Sequence, residues 1–236
     1  MIVAIVGPTG VGKTKMSVEL AKKMDAIIIN ADAMQIYDEL NIGTAKIKEE
    51  EKEGIKHYLF SICSLDKDYN AYNYQVDVRK LLDKYKNRNI IFVGGTGLYL
   101  KSALYDFDFN NKTNNKLYDF KVIGLTTNRQ HLYKIINNRV DKMINEGLLD
   151  EVKDLYKKYG DVRILHTAIG YKELIKYINN EISLDDAIEL IKKNSRHYAK
   201  RQYTYFNHQL DTEWFSVNYD NFNETIEKVF TYLNSK

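Results

Sequence analysis

One cysteine, Cys63, and one proline, Pro8, are all that the 236 residues contain. A single thiol rules out a disulfide framework and fits a reducing, cytoplasmic setting. No apolar run comes near the roughly 18–20 residues that a membrane-spanning helix needs, so no membrane association is expected. The opening strand has no basic flank, and no signal peptide is expected. A surplus of one charge sign is lacking too. The 35 Lys and Arg against 32 Asp and Glu leave a net +3, weak support on its own for an anionic partner. Scarce proline beside abundant Lys, Asn, Ile and Tyr reads as compositional bias and carries no function. The length suits one large α/β domain, or a domain with a small appendage.

The chemistry is concentrated at the start of the chain. The apolar run Ile2–Val6 leads straight into Gly7-Pro8-Thr9-Gly10-Val11-Gly12-Lys13-Thr14, a match to G-x-x-x-x-G-K-T. The glycines let successive backbone N–H groups wrap inward around an anion. Lys13 adds a point charge, Thr14 offers a hydroxyl to a metal, and the helix that follows (15–23) adds its dipole. A diphosphate or polyphosphate ligand follows from this loop. Which one, and whether a phosphoryl group moves, does not.

Further short apolar runs read as buried strands at 26–29, 89–93, 120–125 and 212–217. Helical spacing marks 72–85, 131–145, 148–158, 168–179 and 184–206, while 43–56 reads as a solvated loop with a short helix. Strands alternating with helices predict an α/β fold: a parallel sheet of the P-loop NTPase type, helices on both faces and a helical C-terminal half. The whole chain, 1–236, is expected to form one such domain. Ligands bind at the carboxyl ends of strands in these sheets, which places Gly7–Thr14, Asp32 and Gly94–Tyr99 along one edge.

Asp32, just past the second strand, admits three readings: metal ligand, general base, or helix cap. The end of the third strand, Gly94-Gly95-Thr96-Gly97, carries no carboxylate. Part of the usual apparatus for hydrolysing a nucleoside triphosphate is therefore missing.

These blocks, with Asp32–Tyr37, Ile42–Lys46, Val93–Tyr99, Arg139–Val152, Ala168–Leu174 and Ser183–Phe206, occur in an order that resembles the tRNA dimethylallyltransferases. The resemblance spans nearly the whole chain. It implies transfer of a dimethylallyl group from dimethylallyl diphosphate to N6 of the adenine beside the anticodon, in tRNAs that read codons beginning with U. It also implies a loop that holds the diphosphate of that donor. Asp32 then corresponds to the general base, and Lys13, Thr14 and a Mg2+ near Thr14 to the groups acting on the leaving diphosphate. Arg139 corresponds to an arginine on the same diphosphate. Asp32, Ala33, Met34, Gln35 and Thr96 match positions at the tRNA, with Gln35 reading nucleotides around the target. A monomer is expected.

The stretch 192–202 holds five cations and no acid. Lys192, Arg196 and Lys200 share one helical face, and with Arg201 and the aromatics after it they suit the phosphates of a single-stranded, flipped-out nucleotide. Two departures stand against the match. Ile135 occupies the position of a second family arginine, and residues 106–120 form only a short connection where relatives carry a helical insertion that grips the anticodon arm. Alternatives therefore remain: free AMP, ADP or ATP as acceptor, a small-molecule kinase, or a paralogue that binds RNA without turnover.

Overall fold

Strand β1 (Ile2–Val6) shows why the sheet is buried on both sides. Side chains alternate between faces, and both sets are apolar: Val3 and Ile5 enter one core cluster, Ala4 and Val6 another. The computed structural model describes residues 1–108 and 115–235. After β1 come α1 (Lys13–Met24), β2 (Ala26–Asn30), a 3-10 turn at Glu50–Lys52, β3 (His57–Tyr58), α2 (Ala71–Lys84), β4 (Asn89–Val93), α3 (Gly97–Leu104) and β5 (Phe120–Thr126). The second half runs α4 (Arg129–Asn145), α5 (Leu148–Tyr159), α6 (Arg163–Thr167), α7 (Tyr171–Ile178), α8 (Leu184–Gln209), β6 (Thr212–Ser216) and α9 (Phe222–Asn234).

The six strands lie in the order β3-β2-β4-β1-β5-β6, and every pair is parallel. Helices α1 and α9 cover one face through Met16, Leu20, Ile226 and Val229. Helices α2, α3 and the end of α8 cover the other through Tyr74, Val78, Leu100 and Phe206. A third cluster, built on α4 to α8, closes over Tyr37 and Leu40 beyond the strand ends. The ligand edge is thus roofed by the helical half of the chain.

Four features differ from the sequence reading. The 43–56 stretch does hold a short helical turn, but just after it lies an edge strand, β3, of two residues, too short to leave a pattern. Helix α3 begins inside the glycine-rich turn and is apolar nearly all round, so it has no period to detect. The helix expected at 168–179 starts only at Tyr171, after Gly170 with φ 97°, and a separate short helix, α6, lies just before the expected segment. Helix α9 lies beyond the last segment that the spacing marked. Of the 106–120 connection, 109–114 lie outside the described residues. Its flanks pair with each other: the Asp106 amide donates to the Asn115 carbonyl (3.0 Å) and the Leu117 amide to that of Leu104 (2.9 Å).

Candidate active site

The loop from β1 to α1 ends at Gly12, which caps α1 at φ 97° with no side-chain cap. Its left-handed backbone leaves the first-turn amides of α1 facing the loop's interior. The Lys13 ammonium donates to the carbonyls of Gly7 and Pro8, both at 2.9 Å. Crowding by protein atoms lowers its pKa to about 8; Asp32 opposes that shift and Arg139 adds to it. Thr14 and Ser17 line the same pocket as Lys13, with Gln35, Asp32 and Arg139 close by.

Asp32 is held by its neighbours on β2. The buried Asn30 takes the Asp32 amide on Oδ1 (2.9 Å) and donates from Nδ2 to the carbonyls of Asp32 (2.9 Å) and Leu59 (2.8 Å). One carboxylate oxygen of Asp32 accepts the Met34 amide at 3.0 Å, which makes an Asx turn. Residues 33–36 form a turn and no helix starts there, so the helix-cap reading does not hold. That contact uses only one oxygen. Asp32 also lines a second pocket, walled by apolar residues of α4 and the α6–α7 turn and by Ser195, Tyr198 and Arg201 of α8. Thr9, Asp32, Thr44 and Arg139 belong to both pockets. Asp32 therefore stands at the junction between an anion-binding loop and a largely apolar chamber.

Arg139, on α4, donates to the Thr44 carbonyl at 3.4 Å. Burial holds its pKa below the ordinary value and Asp32 opposes the shift; a guanidinium stays charged regardless. Ile135, one turn earlier, forms part of the phosphate-loop pocket wall. The Thr44 loop is itself anchored. The Glu151 carboxylate accepts the amides of Ile42 (2.9 Å) and Gly43 (3.3 Å) and the Tyr171 hydroxyl (2.6 Å). Lys46 donates to the carbonyls of Tyr37 (2.6 Å) and Asp38 (2.8 Å), and burial lowers its pKa to about 8. Glu151→Ala leaves three donors without their acceptor and is expected to cost about 2–3 kcal/mol. Urea unfolding measures it, and a loss under about 0.5 kcal/mol would remove the anchor role.

The other expected site residues divide. Met34 lines the apolar chamber. The Thr96 hydroxyl accepts the Ala33 amide (3.0 Å), which joins the β2 and β4 ends. Gln35 lines the phosphate-loop pocket and donates to the Thr44 carbonyl at 3.0 Å. Lys192 pairs with Asp141 (2.9 Å) and Glu189 (3.0 Å), and Arg196 reaches Asn137 (2.7 Å) over the Tyr133 ring. That part of the basic stripe faces α4, because helical spacing tells which residues share a face and not what the face meets. Lys200 and Arg201 remain exposed along an open depression with His197, Tyr205 and His208.

Sequence reasoning missed Tyr198 and Glu151. Tyr198 lines the chamber, and its phenol pKa is raised by burial and then by Asp32, with Thr96 and Gln202 opposing. The only signal for it was its place in the basic stretch. Among the described residues no group of three or more His, Cys, Asp or Glu could hold a metal. An all-protein cage is therefore absent there, whereas a hydroxyl beside a diphosphate fits Mg2+, which keeps waters and binds through substrate phosphates.

The model of the IPP transferase family matches residues 35–117 and 108–209. A tRNA dimethylallyltransferase of Fusobacterium nucleatum is 41% identical, with 99% of this chain and 97% of that protein covered. The alignment extends over 295 residues, well beyond the 236 of this chain, so that relative carries segments with no counterpart here. Among solved structures, a tRNA isopentenylpyrophosphate transferase of Bacillus halodurans superposes with a TM-score of 0.90 at 33% identity, over 98% of this chain and 95% of its own. The corresponding Staphylococcus epidermidis structure gives 0.91 at 30% identity, over 99% and 98%. With the phosphate loop, the buried parallel sheet and the Asp32 junction in place, this chain belongs to the IPP transferase family.

Proposed function

We propose that this chain is a cytoplasmic, monomeric tRNA dimethylallyltransferase that joins the dimethylallyl group of dimethylallyl diphosphate to N6 of adenine 37 and releases diphosphate. The observation that carries the reading is Asp32 at the junction of the two pockets. The diphosphate lies on the Gly7–Thr14 loop, within reach of Lys13 and Arg139. The prenyl tail and the flipped adenine share the chamber. As the C1–O bond breaks, negative charge grows on the diphosphate, and Lys13, the loop amides and Arg139 stabilise it. As the N6–C1 bond forms, the exocyclic amine loses a proton, which Asp32 accepts. A Mg2+ held through Thr14 would add charge stabilisation on the leaving diphosphate.

Acceptor RNA would rest on the exposed end of α8, at Lys200 and Arg201, with Met34, Thr96 and Arg196 nearer the chamber. The whole chain acts as one catalytic domain, with 106–120 the place where relatives insert their anticodon-arm grip. The self-paired flanks of that connection favour a second reading, in which a free adenine nucleotide is the acceptor.

One experiment separates the readings. The protein is incubated with labelled dimethylallyl diphosphate, Mg2+ and either unmodified tRNA, its anticodon stem-loop, or AMP. Label is expected in tRNA and nearly as well in the stem-loop. Binding should weaken steeply with salt, since phosphate contacts release counterions. Efficient labelling of AMP alone would transfer the assignment to nucleotide prenylation, and rapid Mg2+-dependent ATP hydrolysis would revive the kinase reading.

A further inference from the structure

Gln202 is a buried neutral amide within the basic stretch of α8, 4% exposed, and nothing above assigns it a role. Its Oε1 accepts the Thr9 amide at 2.9 Å, and its Nε2 donates to the Gly95 carbonyl at 3.2 Å. Thr9 belongs to the phosphate loop after β1, and Gly95 to the turn after β4. One side chain therefore ties together the ligand loops of two adjacent central strands. The fit is close: a Cβ on Gly95 would fall 1.8 Å from Gln202 Nε2 and 3.7 Å from Asp32 Oδ2. From Gly95 the chain continues to Thr96, whose hydroxyl holds the Ala33 amide beside Asp32.

We propose that Gln202 is a positioning residue that sets the phosphate loop at its working distance from Asp32. It reaches the site through two main-chain groups and through a side-chain hydrogen bond to Tyr198 of the chamber. Because an amide both donates and accepts, Gln202 satisfies Thr9 and Gly95 together, which neither a carboxylate nor an amine of that length can do. Fixing Thr9 fixes the loop that holds the diphosphate. Fixing Gly95 fixes the turn against which Asp32 rests. The reacting C1 and the proton acceptor are then held in register, where an error near 1 Å costs on the order of 10²-fold in rate. The inference rests on the prenyl-transfer reading for its catalytic part only.

The test has two arms. In the wild-type protein, hydrogen exchange of the Thr9 amide is expected to be as slow as that of β1 amides. Exchange at the rate of an exposed loop would overturn the proposal, whatever the activity. In Gln202→Met, which keeps length and apolar bulk, turnover at saturating donor and stem-loop RNA should fall by roughly 10–100-fold. The Kd values for dimethylallyl diphosphate and RNA should each stay within about threefold. Gln202→Glu keeps the acceptor for Thr9 but sets a buried carboxylate oxygen against the Gly95 carbonyl, and turnover should fall at least as far as in Gln202→Met. Wild-type turnover in a folded Gln202→Met would overturn the role, as would a donor Kd that rises as much as turnover falls. A wild-type protein that labels no RNA would defeat the functional reading instead, and the exchange measurement would still decide the tie.

Discussion

Asp32→Asn is expected to lower prenyl transfer by roughly 10²–10⁴-fold while leaving the affinity for dimethylallyl diphosphate nearly unchanged. The amide keeps the size of the carboxylate, and its oxygen can still accept the Met34 amide now held at 3.0 Å. The turn contact therefore survives the substitution, and what is lost is the ability to take a proton. The adenine amine is a poor nucleophile because its lone pair is delocalised into the ring, so an unassisted attack is slow. Asn30 holds the backbone at this position in both proteins, which keeps the comparison clean. Single-turnover labelling of the stem-loop, alongside calorimetric titration with the donor, measures both quantities. Turnover within a few-fold of wild type would reduce Asp32 to its turn contact with Met34.

The sequence made the strands and the phosphate loop legible for one physical reason. Strands of a parallel sheet covered on both faces are continuously apolar and end abruptly, as Ile2–Val6 and Asn89–Val93 do, and the loop sits at such an end. Asp32 was legible as a residue at a strand end, but its two engagements were not. Which oxygen closes the turn to Met34, and which pockets the carboxylate borders, depends on Asn30 and on the helical roof. Helix α3 stayed hidden because a helix apolar nearly all round has no amphipathic period. The basic stripe was half legible: helical spacing put Lys192, Arg196 and Lys200 on one face, and only the packing of α8 on α4 revealed Asp141 and Asn137 opposite the first two. Gln35 is expected at the acceptor, and the spacing gives no sign of its hydrogen bond to the Thr44 carbonyl. Gln202 and Glu151 had no signal at all, since they hold mainly backbone groups far away in sequence, which no side-chain motif encodes.

Lys13→Met should cut kcat/KM for dimethylallyl diphosphate by roughly 10²–10³-fold, because the ammonium acts on the bound diphosphate and more strongly on the departing one. It should also change how donor binding depends on pH. Burial has brought the Lys13 pKa down to about 8 in the protein, with Asp32 opposing and Arg139 assisting. Below pH 8 the side chain is charged and binds the anion. Above it the amine is neutral, so the association constant should decline by up to about tenfold per pH unit. The diphosphate itself is already fully ionised there, its last pKa lying near 6. Lys46 titrates in the same range, but its ammonium is spent on the Tyr37 and Asp38 carbonyls and the Ser61 hydroxyl, and it is present in both proteins. Calorimetric titration of wild type and Lys13→Met between pH 7 and about 9.5, without acceptor, isolates the Lys13 contribution. Wild type should lose affinity steadily above pH 8, and the variant should bind weakly with a nearly flat profile. Equal slopes in the two proteins would show that Lys13 contributes no titrating charge to the diphosphate site.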